Sequence, residues 1–294
     1  MGQSLRTGVQ KGMSTIEKII EQIDALRPIP KVAHKVLAIV EDPKSSASDL
    51  AEVVIYDQSL TANVLRLCNS PYYGLPRKVD SIQQAIAYMG MAKIAEMVLM
   101  KLGGDYLRAE HKGYDLREGD LWTHAVSSAL IAREICEIKK APNPHLIFTA
   151  ALLKDIGKVI LHTYVGEMFE EIFNLVEKEK ITFREAEEKV IGIDHAELGA
   201  RVAEKWQFSA KMVHIIRNHH LNGSWSEDDV ETAIVYVADT ICMMMGLGIG
   251  CDGLAYRFHT QVIQALDIND RDLQEIMANF AQKFHEVEHL VGME

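Results

Sequence analysis

Apolar residues recur at helical spacing in nearly every periodic segment of this chain. Within 16–23, 32–40 and 273–280 they repeat every three or four positions, which is the spacing that places them on one face of a helix. Proline closes the second of these segments at Pro43, because its ring interrupts helical hydrogen bonding. Ser48 is the predicted N-cap of the helix that follows. Strand-like alternation persists nowhere, so the sequence predicts an all-α fold.

The helical pattern divides into two predicted lobes. Gly103 and Gly104, followed by a polar stretch at 108–119, interrupt it and predict a joint. The charged stretch 167–188 is interpreted as a solvated amphipathic hairpin that needs no function of its own. The predicted organisation is a disordered segment at 1–13, an N-terminal helical lobe at 14–107, a second helical lobe at 108–264, and a C-terminal packing or assembly helix at 265–294.

Composition limits the classes of partner and the location. The 31 basic and 42 acidic residues give a net charge of −11, which argues against nucleic-acid binding because that depends on clustered Lys and Arg. No signal peptide is visible, and the richest apolar run, 241–250, is shorter than the roughly 20 residues that a membrane span needs. The four cysteines lack C-x-x-C spacing and are interpreted as reduced thiols. We expect a cytoplasmic protein that binds neither nucleic acid nor membrane.

Two aspartates and two histidines are predicted to face the core of the second lobe. Asp155 and Asp239 lie within strongly apolar helical segments, and His219 and His220 continue the apolar stripe of 212–216. Burial of an aspartate is costly unless the carboxylate is paired or binds a metal. Each of these residues alone is most simply a satisfied polar group of the core. Only their combination indicates a shared site.

Three further residues extend this set. Asp194 and Glu197 predict a capping box, which places His195 in the first turn of a helix. Asp120 and His124 are four positions apart and therefore share one helix face. Imidazole and carboxylate groups are the ligands expected for Zn, Fe, Mn and related divalent ions. The remaining histidines are interpreted as surface or incidental residues, among them His34, His111, His162 and His289.

Four segments resemble the HDOD family, a bacterial regulatory branch of the HD superfamily of metal-dependent phosphohydrolases. They are 26–30, 50–57, 65–74 (LRLCNSPYYG) and 81–90. The resemblance continues more loosely through the second half of the chain. It implies an all-helical fold in which an N-terminal bundle packs on an HD-like bundle.

In the second lobe the resemblance extends to the metal ligands of HD phosphohydrolases and HD-GYP phosphodiesterases. Lys154-Asp155 occupies the HD dyad, whose first residue is a metal-bound histidine in those enzymes, and Lys158 matches the lysine that follows it. Residues 221–225 contain no GYP loop, which argues against hydrolysis of cyclic-di-GMP. The resemblance implies two metal subsites that share Asp155. The broken subsite, which lacks the dyad histidine, has His124, Asp155 and Asp239, with Asp120 one turn before His124. The complete subsite has Asp155, His195, His219 and His220.

The resemblance and the missing dyad histidine together lead to a functional hypothesis. The chain is expected to be a signal-transduction regulatory module, not an enzyme, that acts through contacts with signalling proteins, and 69–76 is a candidate contact loop. Lys154 is expected to serve as a counter-ion to Asp155 or Asp239, while the complete subsite can retain one divalent Fe, Mn or Zn ion. One alternative is a mononuclear phosphohydrolase acting on a nucleotide or phosphodiester, with Asp155 and Lys158 as its catalytic residues. A second alternative is a structural protein with a metal-free cluster.

Overall fold

The computed structural model describes residues 14–27, 30–221, 225–255 and 259–288. This part of the chain is all-α, which confirms the predicted fold class, and its one β-type pairing is an isolated bridge between His111 and Leu116. The helices are, in chain order, α1 (Thr15–Ala25), α2 (Lys31–Glu41), α3 (Ala47–Ile55), α4 (Gln58–Cys68), α5 (Ile82–Met89), α6 (Met91–Leu107), α7 (Asp120–Lys139), α8 (Pro144–Leu153), α9 (Lys158–Glu167), α10 (Phe169–Glu179), α11 (Phe183–Ile191), α12 (His195–Lys205), α13 (Ala210–Asn218), α14 (Val230–Met245), α15 (Thr260–Ala265) and α16 (Asp270–Glu288).

The N-terminal helices form a bundle around α6. Helices α2, α4 and α5 pack against α6, and α3 packs against α2 and α5. The core of this bundle contains Val36, Leu50, Val64 and Ile86, all of them buried. Helix α1 instead packs against α9. The ammonium of Lys205 donates to the carbonyl of Ile23 at 2.6 Å, which ties α1 to the second bundle.

Helix α7 is the centre of the second bundle. It packs against α8, α14 and α16, and most of its residues are buried. Helices α12 and α13 pack together, and α13 contacts α8 and α14. Helix α6 contacts both α7 and α8 and therefore joins the two bundles. The polar and charged side chains discussed below are held among α7, α9 and α11–α14.

The start of α3 and the cap of α12 differ in detail from the predictions. Helix α3 begins after Ser46, not Ser48: the Ser46 hydroxyl accepts from the peptide N–H of Asp49, and the Asp49 carboxylate accepts from the N–H of Ser46. That reciprocal pair satisfies two otherwise unpaired N–H groups, which Ser48 cannot do from inside the helix. At α12, Asp194 is the N-cap as predicted, with the N–H of Glu197 at 2.7 Å. The Glu197 carboxylate binds the guanidinium groups of Arg201 and Arg217 instead of completing the box.

The two adjacent glycines of the first lobe do not interrupt their helix. Gly103 and Gly104 lie inside α6, where a β-carbon on either would meet the indole of Trp122 at 3.4–3.5 Å. Those distances are ordinary contacts, and the helix continues through the pair to Leu107, so the predicted interruption does not occur at these glycines. The polar stretch after α6 is a connection that contains a short 3-10 turn at Lys112–Tyr114.

The C-terminal helix packs against the rest of the fold. Helix α16 lies on α7 and on the 3-10 turn Pro71–Tyr73 of the first bundle, with Ile276 and Phe280 buried. Among the described residues, no helix is both long and apolar enough to cross a membrane. Residues 1–13 and His289 are outside the described part of the chain, so the predictions made for them are not tested. The same holds for 222–224, which belong to the segment in which the sequence shows no GYP loop.

Candidate metal centre

Five chain segments bring the predicted site residues together in the second bundle. Helix α7 supplies His124, and the tight turn 154–157 between α8 and α9 supplies Lys154 and Asp155. Asp155 therefore lies in a turn, not inside a helix as predicted. His195 is the first residue of α12, His219 and His220 come just after α13, and Asp239 lies in the middle of α14.

Lys154 lies between the two aspartates. Its side chain is 1% exposed, and its ammonium contacts Oδ2 of Asp155 and lies 2.6 Å from Oδ1 of Asp239. Burial alone would lower the pKa of Lys154, but the two carboxylates outweigh burial and hold that pKa above its ordinary value. Burial likewise favours protonated aspartates, yet the charge of Lys154 keeps the pKa of Asp155 and of Asp239 well below the usual range. The three groups are therefore all ionised at neutral pH.

His124 adds a second donor to the same group. Its Nε2 lies 2.8 Å from Oδ1 of Asp239, and its Nδ1 lies 2.9 Å from the carbonyl oxygen of Leu247. Both partners are hydrogen-bond acceptors, so they hold the ring from its two nitrogens and fix its orientation between α14 and the segment after it. Oδ2 of Asp155 lies 3.8 Å from His124 Nε2. The space between His124, Asp155 and Asp239 thus contains the ammonium of Lys154.

Lys158 is held by two carboxylates. It is the first residue of α9, is buried, and its ammonium lies 2.9 Å from Oδ1 of Asp155 and 2.7 Å from Oδ2 of Asp252. It also lies 5.6 Å from the ring centre of Tyr114, within the range of a cation–π contact. Burial lowers the pKa of Lys158, but Asp155 and Asp252 raise it far more. Asp252 belongs to the glycine-rich segment after α14, for which the sequence offers no periodic signal.

The three remaining histidines converge on the other side of Asp155. Nε2 of His195 lies 2.8 Å from Nε2 of His220, and the rings of His219 and His220 are 4.1 Å apart between centres. Nδ1 of His219 donates to the carbonyl oxygen of Ile216 at 2.7 Å, so the lone pair of the neutral ring is on Nε2. Burial lowers the pKa of His219 to about 4.

Nε2 of His219 is the clearest indication of a missing ligand. It is fully buried and has no hydrogen-bond partner in the described part of the chain; Oδ1 of Asp155 is 4.0 Å away. The ligand atoms of His195, His219 and His220 lie within 4.8 Å of one another. On a tetrahedral ion with bonds of roughly 2.1 Å, ligand atoms are about 3.4 Å apart. Small side-chain shifts bring these nitrogens to that spacing, so the residues present fit one divalent ion.

A buried glutamate positions His195. Oε2 of Glu187 accepts from the peptide N–H of His195 at 3.1 Å and from its Nδ1 at 2.7 Å, while Oε1 accepts from the hydroxyl of Tyr114 at 2.6 Å. Burial lowers the pKa of His195, but Glu187 outweighs burial and raises it. Glu187 comes from α11, in the stretch interpreted as a solvated amphipathic hairpin whose charges need no function, and at this buried residue that interpretation is wrong. Its signal is the i, i+4, i+8 series Phe183, Glu187 and Ile191, which places it on the buried face.

The charges around the cluster do not balance without a further cation or further protons. Four carboxylates, largely buried, face two ammonium groups. Neutrality is reached with one divalent cation or with two protonated histidines. Isolated buried charge is strongly unfavourable. Binding of one dication neutralises the cluster, whereas a second dication would leave it with excess positive charge and is therefore disfavoured. The groups counted are Asp155, Glu187, Asp239 and Asp252, with Lys154 and Lys158.

Two predictions about single residues need comment. Asp120 is the first residue of α7, and its carboxylate accepts from the peptide N–H of Arg117 at 2.7 Å. It is in neither of the two possible metal-binding groups, which are His124–Asp155–Asp239 and His195–His219–His220. His111, predicted to be a surface or incidental residue, is buried, with its ring 5.2 Å from that of His162.

The fold is all-helical and encloses a buried cluster of histidine, aspartate and lysine side chains, and comparison with known proteins gives the family. The model of the HDOD domain matches residues 26–222, so the chain belongs to the HDOD domain family.

Two solved structures share the fold. An HDOD domain protein of unknown function from Geobacter sulfurreducens is 26% identical, with 94% of this chain and 96% of that chain covered and a TM-score of 0.74. A protein of Shewanella amazonensis SB2B is 23% identical, with 94% and 97% covered and a TM-score of 0.69. An uncharacterized protein of Treponema pallidum is 22% identical over 205 residues, which are 69% of this chain and 39% of that protein. The chain thus spans well under half of that relative's length.

Proposed function

We propose that the protein is a signal-transduction regulatory module, acting through protein–protein contacts in the cytoplasm, whose HD-type centre retains one divalent metal ion and uses Lys154 in place of the other. The observation that carries this proposal is the contact of the Lys154 ammonium with both Asp155 and Asp239. A fixed lysine supplies positive charge, but it cannot bind a water molecule and convert it to hydroxide as a metal does.

The surviving subsite favours a closed coordination sphere. His195, His219 and His220 supply three imidazole nitrogens, and Oδ1 of Asp155 lies 3.8 Å from Nε2 of His195. Four protein ligands complete a tetrahedral ion, which is typical of structural sites, whereas catalytic sites keep a position open for water. A metal here would stabilise the arrangement of α12 and α13 and of the turn that carries Asp155.

The position of Lys158 argues against the alternative of a mononuclear phosphohydrolase. For hydrolysis, this lysine would have to bind the phosphate. Its ammonium is instead buried and paired with Asp155 and Asp252. Releasing it would take this cation from Asp252 and leave Asp155 with Lys154 alone. The carboxylates that outnumber the lysines around the cluster would also repel a phosphate before metal is bound.

Hydrolysis of a phosphodiester by metal-loaded protein separates the proposal from this alternative. We would load the purified chain with Mn²⁺ and follow cleavage of bis(p-nitrophenyl) phosphate, with Asp155→Ala as the control. The proposal predicts the same background rate for both proteins. Metal-dependent turnover that disappears in Asp155→Ala would establish the phosphohydrolase instead.

The identity of the partner proteins follows from the family only at the level of class. Membership of the HDOD family supports a role in signalling, and a net charge of −11 favours protein partners over nucleic acid. The 3-10 turn Pro71–Tyr73, within the predicted contact loop, lies against α16. A partner that uses this loop would therefore meet α16 as well.

A further inference from the structure

We infer that Glu187 is the positioning residue that makes the three-histidine cluster a metal site, by fixing the nitrogen that His195 offers. This inference rests on the metal part of the proposed function and extends it to residues outside the ligand set. The hydroxyl of Tyr114 supports Glu187 from behind, so that Tyr114, Glu187 and His195 form one hydrogen-bonded chain that leads to the cluster.

The hydrogen bonds of Glu187 determine the tautomer of His195. A carboxylate only accepts, so Nδ1 of His195, 2.7 Å from Oε2, carries a proton. In the neutral ring Nε2 then carries the lone pair, and it is Nε2 that faces His220 and Asp155. Without the carboxylate, the proton is free to move to Nε2, where it blocks coordination. A carboxylate on the far nitrogen also makes the ring a more basic ligand.

The placement of Glu187 is fixed by three elements, not by the histidine alone. Its side chain is 0% exposed, and Oε2 also accepts from the peptide N–H of His195, a free donor at the start of α12. Oε1 receives the Tyr114 hydroxyl at 2.6 Å, and burial together with the charge of Glu187 raises the pKa of Tyr114 well above its usual value. The hydroxyl of Tyr114 therefore keeps its proton at neutral pH and donates it to Glu187.

The surrounding charges give this carboxylate a second role. Glu187 is one of the groups that leave the cluster short of positive charge. A Gln at this position would keep the shape but remove one negative charge. A divalent ion would then meet less negative charge in the cluster, which weakens its binding. The loss of the carboxylate that fixes the His195 tautomer weakens metal binding in the same direction.

The test measures Co²⁺ binding by visible absorption and the protonation of His195 by ¹⁵N NMR. Proteins compared are the wild type, Glu187→Gln, Tyr114→Phe and Glu188→Gln. Glu188 is the exposed neighbour on α11 and serves as the matched control. We expect Glu187→Gln to weaken Co²⁺ binding roughly 10- to 100-fold and to shift the proton of His195 from Nδ1 towards Nε2. Tyr114→Phe should give a smaller loss in the same direction, and Glu188→Gln no change.

The outcomes separate this inference from the proposal beneath it. If the wild type binds Co²⁺ and Glu187→Gln binds it equally well with His195 still protonated at Nδ1, the inference is wrong while the metal site stands. If the wild type takes up no Co²⁺, the metal site and the inference fail together. Should Glu187→Gln not fold, Tyr114→Phe decides alone: unchanged affinity and an unchanged His195 tautomer contradict the inference.

Discussion

The ammonium of Lys154 lies 2.6 Å from Oδ1 of Asp239, in the space where His124, Asp155 and Asp239 could otherwise hold a metal ion. A lysine in this position resolves the difficulty of placing two carboxylates together in a buried site. It also explains how the HD dyad can lose its histidine without loss of the fold. The predictions below follow from this pairing and from the packing around it.

Removal of the lysine charge should destabilise the protein. In Lys154→Met, both aspartates lose their shared cation while remaining buried, and breaking a buried pair in this way costs about 3–5 kcal/mol. Urea unfolding in the presence of EDTA measures this difference. Lys178→Met, at an exposed position of α10, should change the free energy of unfolding little. A loss below about 1 kcal/mol for Lys154→Met would mean that the aspartates do not depend on this charge.

Restoring the dyad histidine should restore the second subsite. Lys154→His removes a positive charge and adds a ligand beside His124, Asp155 and Asp239, so the excess of negative charge grows and the repulsion that opposes a second dication falls. We expect about one additional Mn²⁺ per chain by equilibrium dialysis, on the four-ligand model of such sites. The Asp239→Asn change in the same background should remove that added ion. An unchanged stoichiometry in Lys154→His contradicts the view that Lys154 replaces a metal.

Gly157 keeps the turn that carries Asp155 close to α12. A β-carbon there would lie 2.0 Å from the carbonyl oxygen of His195 and 2.7 Å from the peptide nitrogen of Gly199. Both atoms are backbone and cannot turn aside, so Gly157→Ala should cost at least about 3 kcal/mol and displace His195. Thermal unfolding measures the loss of stability, and metal content measures the displacement of His195. Gly166→Ala is the matched control, because its nearest neighbour is at 3.4 Å, an ordinary contact.

The buried pair of Glu96 and Arg133 predicts a dependence on pH. Burial raises the pKa of Glu96, but the neighbouring imidazole of His145, with Nδ1 3.6 Å from Oε1, and the charge of Arg133 outweigh it, so the pKa lies below its ordinary value. A carboxyl group of this kind stabilises the fold above its unfolded pKa, and that contribution is lost as the pH falls through the folded pKa. The stability difference between wild type and Glu96→Gln should therefore shrink between pH 7 and pH values below about 4. Urea unfolding at several pH values measures it, and a constant difference would contradict the assignment.

The C-terminal helix is predicted to contribute to the stability of the second bundle. Phe280 is 1% exposed where α16 packs on α7, so Phe280→Ala should cost about 3–5 kcal/mol. The exposed Gln274→Ala change on the same helix is the control. An independent unfolding transition for α16, with the rest of the chain unaffected by Phe280→Ala, would show that the helix is an accessory segment.

The fold class and the central residues of the site follow from the sequence, because helical periodicity places apolar residues on one face and the HD resemblance supplies the order of the histidines. Other features depend on tertiary contacts. Asp155 lies in a turn that looks like a helix in the apolar pattern. Asp252 comes from a glycine-rich segment with no periodicity at all. Glu187 lies in a charged stretch, and only its place between Phe183 and Ile191 on one helix face indicates burial.

The central claim is that Lys154 takes one cation position and a metal ion the other. Metal analysis by mass spectrometry, on untagged wild-type protein purified without chelators and with Asp155→Ala as control, tests it most directly. The account predicts about one Fe, Mn or Zn per chain, lost in the control, in keeping with four-ligand binding to a single ion. Two ions per chain would show that Lys154 does not replace a metal, and none would show that the three histidines form a metal-free, hydrogen-bonded cluster.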